Sequence, residues 1–174
     1  MLPPDRDMKK LVITLALLGF THSLFAADKQ PSSVLDNGAE TFAIDCAGNP
    51  QQTTLDMNDC YAEKIDKLNW VKQTYLVAAR KRIEQTATGP NPDPDAAAVL
   101  KAFDEETQAW DAFEEKATFA TYTDYQGGTI RGVMSLSRKM ELIELRVKDI
   151  WSNWLQYQDS TPAVLPEPKF KDDH

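Results

Sequence analysis

The sequence predicts an all-α fold, an elongated antiparallel bundle of three long helices with one N-terminal disulfide bond. Apolar residues recur at steps of three and four through three long segments, which is the period of a helix buried on one side. Turn-forming residues separate these segments, and short connections between long helices favour antiparallel neighbours. No alternating apolar and polar run of any length indicates a β-strand.

The first predicted helix runs from Thr54 to about Gln85, with Thr53 or Thr54 as its N-cap. Proline cannot continue the helical hydrogen-bond ladder, so the proline-rich segment 86–94 ends this helix. Its apolar positions fall on one stripe: Met57, Cys60, Tyr61, Ile65, Leu68, Val71, Tyr75, Ala78, Ala79 and Ile83.

The second helix is expected to start at Asp93 and Pro94, because Asp is a favoured N-cap and Pro a favoured first residue of a helix. It ends near Tyr122, and one face carries Val99, Leu100, Phe103, Thr107, Trp110, Phe113, Glu114, Ala117 and Ala120. The third helix, from about Thr129 to Tyr157, has the most regular stripe, typical of lengthwise packing. Its members are Val133, Leu136, Met140, Ile143, Val147, Ile150 and Trp154.

The chain begins with the pattern of a secretory signal peptide, residues 1–26, in which Lys9 and Lys10 precede the apolar core 11–20. This core is too short for a membrane span, which needs about 20 residues. Residues 1–7 are interpreted as a dispensable extension. The segments expected after the leader are an irregular N-terminal segment (27–52), a helical domain (53–157) and a Pro-rich flexible tail (158–174).

The only two cysteines are Cys46 and Cys60. Because the leader sends the chain to a compartment where thiols oxidise, we expect a disulfide bond between them. Such a bond closes a loop of about 15 residues, which contributes about 3 kcal/mol in the chain-entropy model. Two buried free thiols are the alternative.

The chain lacks the usual groups of acid–base catalysis. Its only histidines are His22, in the leader, and His174, the last residue, so the helical domain has no histidine base or metal ligand. Gly127-Gly128 follows no predicted strand and precedes no Gly-Lys-Ser/Thr, which argues against a phosphate-binding loop. We therefore expect a protein that is not an enzyme, with no catalytic residue, no metal and no cofactor.

Two residue classes leave an enzymatic or sugar-binding alternative open. Carboxylates occur at 104–106, 114–115, 141 and 144, but helical phase places most of them on a solvated face, with Glu114 closest to an apolar stripe. Four tryptophans could line a sugar groove, although their spacing favours packing, above all for Trp110 and Trp154. The other two are Trp70 and Trp151.

The formal net charge is −8, and removal of the slightly basic leader makes the chain more acidic. This charge disfavours nucleic acid and anionic membrane surfaces and favours a basic partner. After the leader is removed, no stable membrane insertion is expected. The alternative is that the acidity serves solubility alone.

A series of short motifs resembles a known family. In chain order these are Asp45-Cys46, Met57-Asn58-Asp59-Cys60, Asp66, Leu68-Asn69, Ala109-Trp110-Asp111-Ala112-Phe113, Gly127-Gly128-Thr129 and Ser135-Leu136-Ser137-Arg138. Their order and spacing, over about residues 42–155, resemble the LprI-like lysozyme-inhibitor domain family.

The chain departs from this family's pattern at three places. Where the family often has Arg-Asp-x-x-Cys, the chain has Glu114-Glu115-Lys116-Ala117-Thr118. Where the family often has a fourth cysteine, the chain has Gly132-Val133-Met134, so a second disulfide is missing. Lys72 stands at the family's tyrosine position shortly after Leu-Asn.

The resemblance implies a periplasmic or secreted protein that binds a lysozyme-type peptidoglycan hydrolase and inhibits it by protein–protein contact. An immunity or accessory protein of an envelope or secretion system, binding another toxin or component, is the alternative function. Loops on rigid helices commonly carry binding, and tyrosine is a favoured anchor. The segment expected to contact the partner is therefore the turn with Tyr122, Asp124, Tyr125, Gln126, Gly127 and Gly128, and an ordinary interhelical turn is the alternative.

Overall fold

The computed structural model describes residues 29–46 and 51–172, and the predicted leader lies outside these residues. Three helices dominate the described chain. They are α1 (Thr54–Thr88), α2 (Ala96–Asp124) and α3 (Arg131–Ile150). A π-helical turn, Trp151–Leu155, extends α3, and three short strands complete the fold: β1 (Ser33–Asp36), β2 (Ala39–Ile44) and β3 (Glu167–Asp172).

Helix α1 begins where the sequence predicts and ends at Thr88, three residues beyond the expected Gln85. A capping box fixes its start, since the Thr53 side chain accepts from the Asp56 backbone N–H and the Asp56 carboxylate accepts from the Thr53 N–H. Most of the expected stripe is buried, and it forms the main core together with α3. Its buried apolar members are Cys60, Ile65, Leu68, Val71, Tyr75, Ala79 and Ile83.

Helix α2 is much more exposed than its pattern predicts. It starts at Ala96 and not at Pro94, because the Asp93 carboxylate accepts a hydrogen bond from the Asp95 backbone N–H. Asp93 thus caps the turn that precedes the helix. Only Ala96 and Phe103 are buried in its 29 residues. The expected inward position of Phe113 is wrong, since this side chain is 48% exposed.

Helix α3 buries four members of the predicted stripe, Met140, Ile143, Val147 and Ile150, but ends at Ile150, earlier than the expected Tyr157. In the π-helical turn that follows, the indoles of Trp151 and Trp154 form hydrogen bonds with different partners. Trp151 Nε1 donates to the Leu165 carbonyl at 3.0 Å, and Trp154 Nε1 donates to the Glu106 carboxylate at 3.0 Å. Both indoles, like Trp70, lie partly buried against the core.

A three-stranded sheet of order β1-β2-β3 corrects the all-α prediction. Its strands come from segments 27–52 and 158–174, which were expected to be irregular and flexible. Strands β1 and β2 form an antiparallel hairpin, in which Asn37 and Gly38 adopt positive φ of 49° and 81°. Two consecutive positive φ values define the type I′ turn that matches the twist of a hairpin, and Asn-Gly is its preferred sequence. Strand β3 then adds parallel to β2.

The sheet packs on α1 and α3 and belongs to the core. Phe42 of β2 is 3% exposed and contacts Tyr75 of α1, with ring centroids 6.4 Å apart, and Phe170 of β3, at 6.2 Å. The Tyr75 hydroxyl donates to the Pro166 carbonyl at 2.8 Å, and burial raises the Tyr75 pKa well above its usual value. The final segment is therefore docked along the helices up to Asp172.

The predicted disulfide bond between Cys46 and Cys60 is present. Their Cα atoms lie 5.2 Å apart, and Cys60 is fully buried at the start of α1. The bond ties the end of the hairpin to the helical bundle.

Next to the disulfide, Lys67 donates to both the carbonyl oxygen and the carboxylate of Asp45, at 2.7 Å and 2.6 Å. The hydrogen bond from Lys67 lowers the Asp45 pKa below its usual 3.8 and outweighs partial burial. Burial acts to lower the Lys67 pKa, but the hydrogen bonds and charges of Asp45 and Glu63 outweigh it, so that pKa rises above its usual 10.5. The Asp45–Lys67 pair therefore contributes its full stabilisation to the fold above pH 3.8 and below pH 10.5.

We expect Asp45→Asn to be less stable than the wild type at neutral pH, with the difference vanishing in acid. The Asp45 contribution is present above its unfolded pKa of 3.8 and is lost as the pH falls through the lower folded pKa. Urea denaturation at several pH values measures this difference. A difference that stays constant from neutral pH to well below pH 3.8 would show that the carboxylate charge contributes nothing.

Candidate partner-binding site

The turn between α2 and α3 lies at the same end of the bundle as the disulfide bond. A side chain at Gly132, at the start of α3, would lie 2.9 Å from Asn58 Oδ1, at the start of α1. The Asn58 amide therefore lies directly against the backbone of Gly132, and the N-terminal turns of α1 and α3 are in contact. Asn58 is two residues from Cys60, so the Met-Asn-x-Cys motif and the Gly-Gly turn are neighbours.

The six residues predicted to contact a partner are all exposed, but they do not all lie in the turn. Tyr122 and Asp124 belong to the last turn of α2. Tyr125 closes the helix by donating its backbone N–H to the Thr121 carbonyl at 3.2 Å, and the Gly128 N–H donates to the Tyr125 carbonyl at 2.9 Å. Gln126 and Gly127 lie between them. Their role in binding stays a prediction.

Two features of the turn and of the adjoining end of α2 bear on a role in partner binding. Tyr122 and Tyr125 are 36% and 37% exposed, and the Arg131 guanidinium lies 5.0 Å from the Tyr122 ring centroid. A side chain at Gly127 would meet nothing within 4 Å, so the fold itself tolerates substitution there. The turn can therefore be altered without disturbing the helices.

A groove of about 500 Å³, which the sequence did not predict, runs between α2 and α3 beside the turn. We call it the α2–α3 groove, and its lining includes Asp111, Glu114, Glu115, Phe119, Tyr122 and Lys139. Phe119 is 68% exposed, although it is a large apolar residue within α2. The groove therefore combines carboxylates with accessible aromatic rings.

The described residues offer no site for metal chemistry. Across 29–46 and 51–172, no three His, Cys, Asp or Glu side chains are grouped so that they could hold a metal ion. Among the same residues, no helix has the length and apolar character needed to cross a membrane.

Comparison with known families gives one match. The model of the lysozyme inhibitor LprI family matches residues 46–150. The chain belongs to this family. The match covers α1, α2, α3, the disulfide and the turn, whereas all three strands lie outside it. A comparison with curated proteins and one with solved structures find no match.

Two of the departures from the LprI pattern are partners in space. Lys72 and Glu114 form an ion pair of 3.0 Å between α1 and α2, with side chains only 8% and 13% exposed. Lys139 of α3 lies 3.6 Å from the same carboxylate. Glu114 therefore lies between two cations and is largely buried, while the neighbouring Phe113 is exposed.

A third departure lies on the floor of the groove. Thr118 occupies the position of a cysteine in the family pattern, and its backbone carbonyl accepts a hydrogen bond from the Ser135 hydroxyl at 3.2 Å. The Thr118 hydroxyl oxygen is buried and has no hydrogen-bond partner among the described residues. The Ser135–Thr118 hydrogen bond thus joins α3 to α2.

Proposed function

We propose that this LprI domain acts in the periplasm or outside the cell, where it binds a lysozyme-type peptidoglycan hydrolase and inhibits it by protein–protein contact, with no catalytic activity of its own. The observation that carries the proposal is the family match, which covers the whole helical bundle. The acidic net charge supports it, because a basic hydrolase is steered towards an acidic surface, less strongly as salt rises.

The turn is proposed as the segment that enters the substrate cleft. Its exposed tyrosines and its small Gly127 and Gly128 form a narrow end on three rigid helices. A preorganised loop loses little conformational freedom on binding, and tyrosine is a frequent hot-spot residue. An inhibitor that fills a glycosidase cleft must also approach its two catalytic carboxylates, which a slim turn can do.

The test is a titration of lysozyme activity with Tyr125→Ala and Gly127→Leu. We expect Tyr125→Ala to weaken binding by about 1–2 kcal/mol, because the ring is lost from the contact. Gly127→Leu is expected to block entry by bulk while leaving the melting temperature nearly unchanged, since a Cβ atom at this exposed position meets nothing within 4 Å in the free fold.

Tyr157→Ala is the matched control, because this ring lies under the Arg82 guanidinium, 4.2 Å away, near the opposite end of the bundle. It is expected to bind like the wild type. If both turn variants inhibit as well as Tyr157→Ala does, the turn is not the inhibitory segment.

A further inference from the structure

We propose that the α2–α3 groove receives an arginine side chain of the basic hydrolase, whose guanidinium pairs with groove carboxylates and packs against groove aromatics. The inference rests on the proposed function and adds to it a second contact, separate from the tip of the turn, with a defined partner chemistry.

The groove residues of α2 form a continuous exposed stripe. Asp111, Glu115 and Phe119 are spaced by four residues, and Tyr122 follows at a step of three, so all four lie on one side of the helix. Carboxylates occupy one half of the stripe and aromatic rings the other. A single extended side chain lying along the groove would meet both.

The fold does not account for the exposure of this stripe. No residue of α2 after Phe103 is buried, and Phe119 leaves 68% of its surface in water. Exposed apolar surface bordered by charged residues is a common mark of a protein interaction site. The stripe is therefore better explained by a partner than by packing within the chain.

Charge and shape select a guanidinium as the group that binds. Glu115 forms no ion pair with any described residue, and Asp111, which is 63% exposed, pairs with Lys72 at 3.7 Å. Glu114, in contrast, is already neutralised by Lys72 and Lys139. A planar guanidinium can bind a carboxylate through two parallel hydrogen bonds and stack on an aromatic face, whereas an ammonium group does neither as well.

The groove is large enough for such a side chain. The volume of about 500 Å³ exceeds what one arginine side chain needs and lies within the usual range of binding pockets.

The experiment measures binding of the purified chain to a basic c-type lysozyme by titration calorimetry, with matched pairs of variants on α2. Glu115→Gln is expected to raise Kd about tenfold, and Phe119→Ala by a similar factor. Their controls are Glu105→Gln and Phe113→Ala, which make the same changes on the same helix at exposed positions outside the groove. These controls should change Kd less than about twofold. All four substituted residues are exposed, so the melting temperature should stay close to that of the wild type.

A second arm identifies the group on the partner. Lysozyme with its arginines blocked by phenylglyoxal should bind the wild type more weakly than untreated lysozyme does. With this blocked lysozyme, Glu115→Gln should cause no further loss of affinity. Lysozyme with acetylated lysines should still distinguish Glu115→Gln from the wild type.

The outcomes separate this inference from the proposed function. The groove inference is wrong if the wild type inhibits but both groove variants bind like their controls. It is also wrong if Glu115→Gln loses as much affinity for arginine-blocked lysozyme as for untreated lysozyme. If the wild type binds and the variants behave as expected, but the lysozyme stays active, the inhibitory function is wrong and the groove contact stands. A wild type that binds no lysozyme overturns both.

Discussion

Replacing Phe42 with alanine is expected to lower the free energy of unfolding by about 3–5 kcal/mol, the usual cost of removing a buried phenylalanine. Phe42 is 3% exposed and joins the sheet to the bundle through its contacts with Tyr75 and Phe170. The substitution would leave a cavity where β2, β3 and α1 meet. Urea denaturation followed by circular dichroism measures the loss.

Phe119→Ala is the control for this substitution, because it makes the same change at a ring that is 68% exposed. It should cost less than about 0.5 kcal/mol. Equal losses for the two variants would show that the sheet does not pack on the helices as described.

Replacing Arg146 with alanine is expected to cost about 3 kcal/mol, since removing one partner of a buried ion pair leaves the others uncompensated. The Arg146 side chain is 3% exposed and donates to Glu106 of α2 at 2.5 Å and to Asp149 at 2.8 Å. Its guanidinium also lies 5.1 Å from the Trp110 ring centroid. We take the lower end of the usual range because both carboxylates remain partly accessible to water, at 33% and 27% exposure.

Arg138→Ala provides the comparison. Arg138 lies on the same helix, and among the described residues it pairs only with Glu141; both side chains are well exposed, at 42% and 62%. A surface pair of this kind contributes about 0–1 kcal/mol. An Arg146 variant as stable as the Arg138 variant would contradict the role of Arg146 in joining α2 to α3.

The helices were predictable because their apolar stripes are long and regular, and the disulfide because only one pairing exists. The sheet was missed although its signal is present, since Asn37-Gly38 between two short apolar runs is a strong hairpin indicator. Strand β3 carries no such signal. It depends on a tertiary contact, the Tyr75 hydroxyl with the Pro166 carbonyl, that local sequence does not encode.

The candidate site was predictable only in part. The position of the turn followed from the glycines and the ends of the helical patterns. The groove depends on how α2 is oriented against its neighbours, where Glu114 pairs with the buried Lys72 while Phe113 is 48% exposed. Periodicity placed both residues at the same face of α2 and could not distinguish which of the two side chains is buried.

The strands lie outside the region that matches the LprI family. They pack on α1 and α3, whereas the groove lies between α2 and α3 and contains no strand residue. The sheet is therefore expected to stabilise the bundle without covering the surface that faces the hydrolase.

The most direct test of the central claim is a cell-wall lysis assay in which several lysozyme types are titrated with the chain after removal of its predicted leader. We expect at least one basic lysozyme to lose activity in proportion to added protein and to approach full inhibition at a modest molar excess. Undiminished lysis by every lysozyme, at a large excess of protein shown to be folded by circular dichroism, would contradict it.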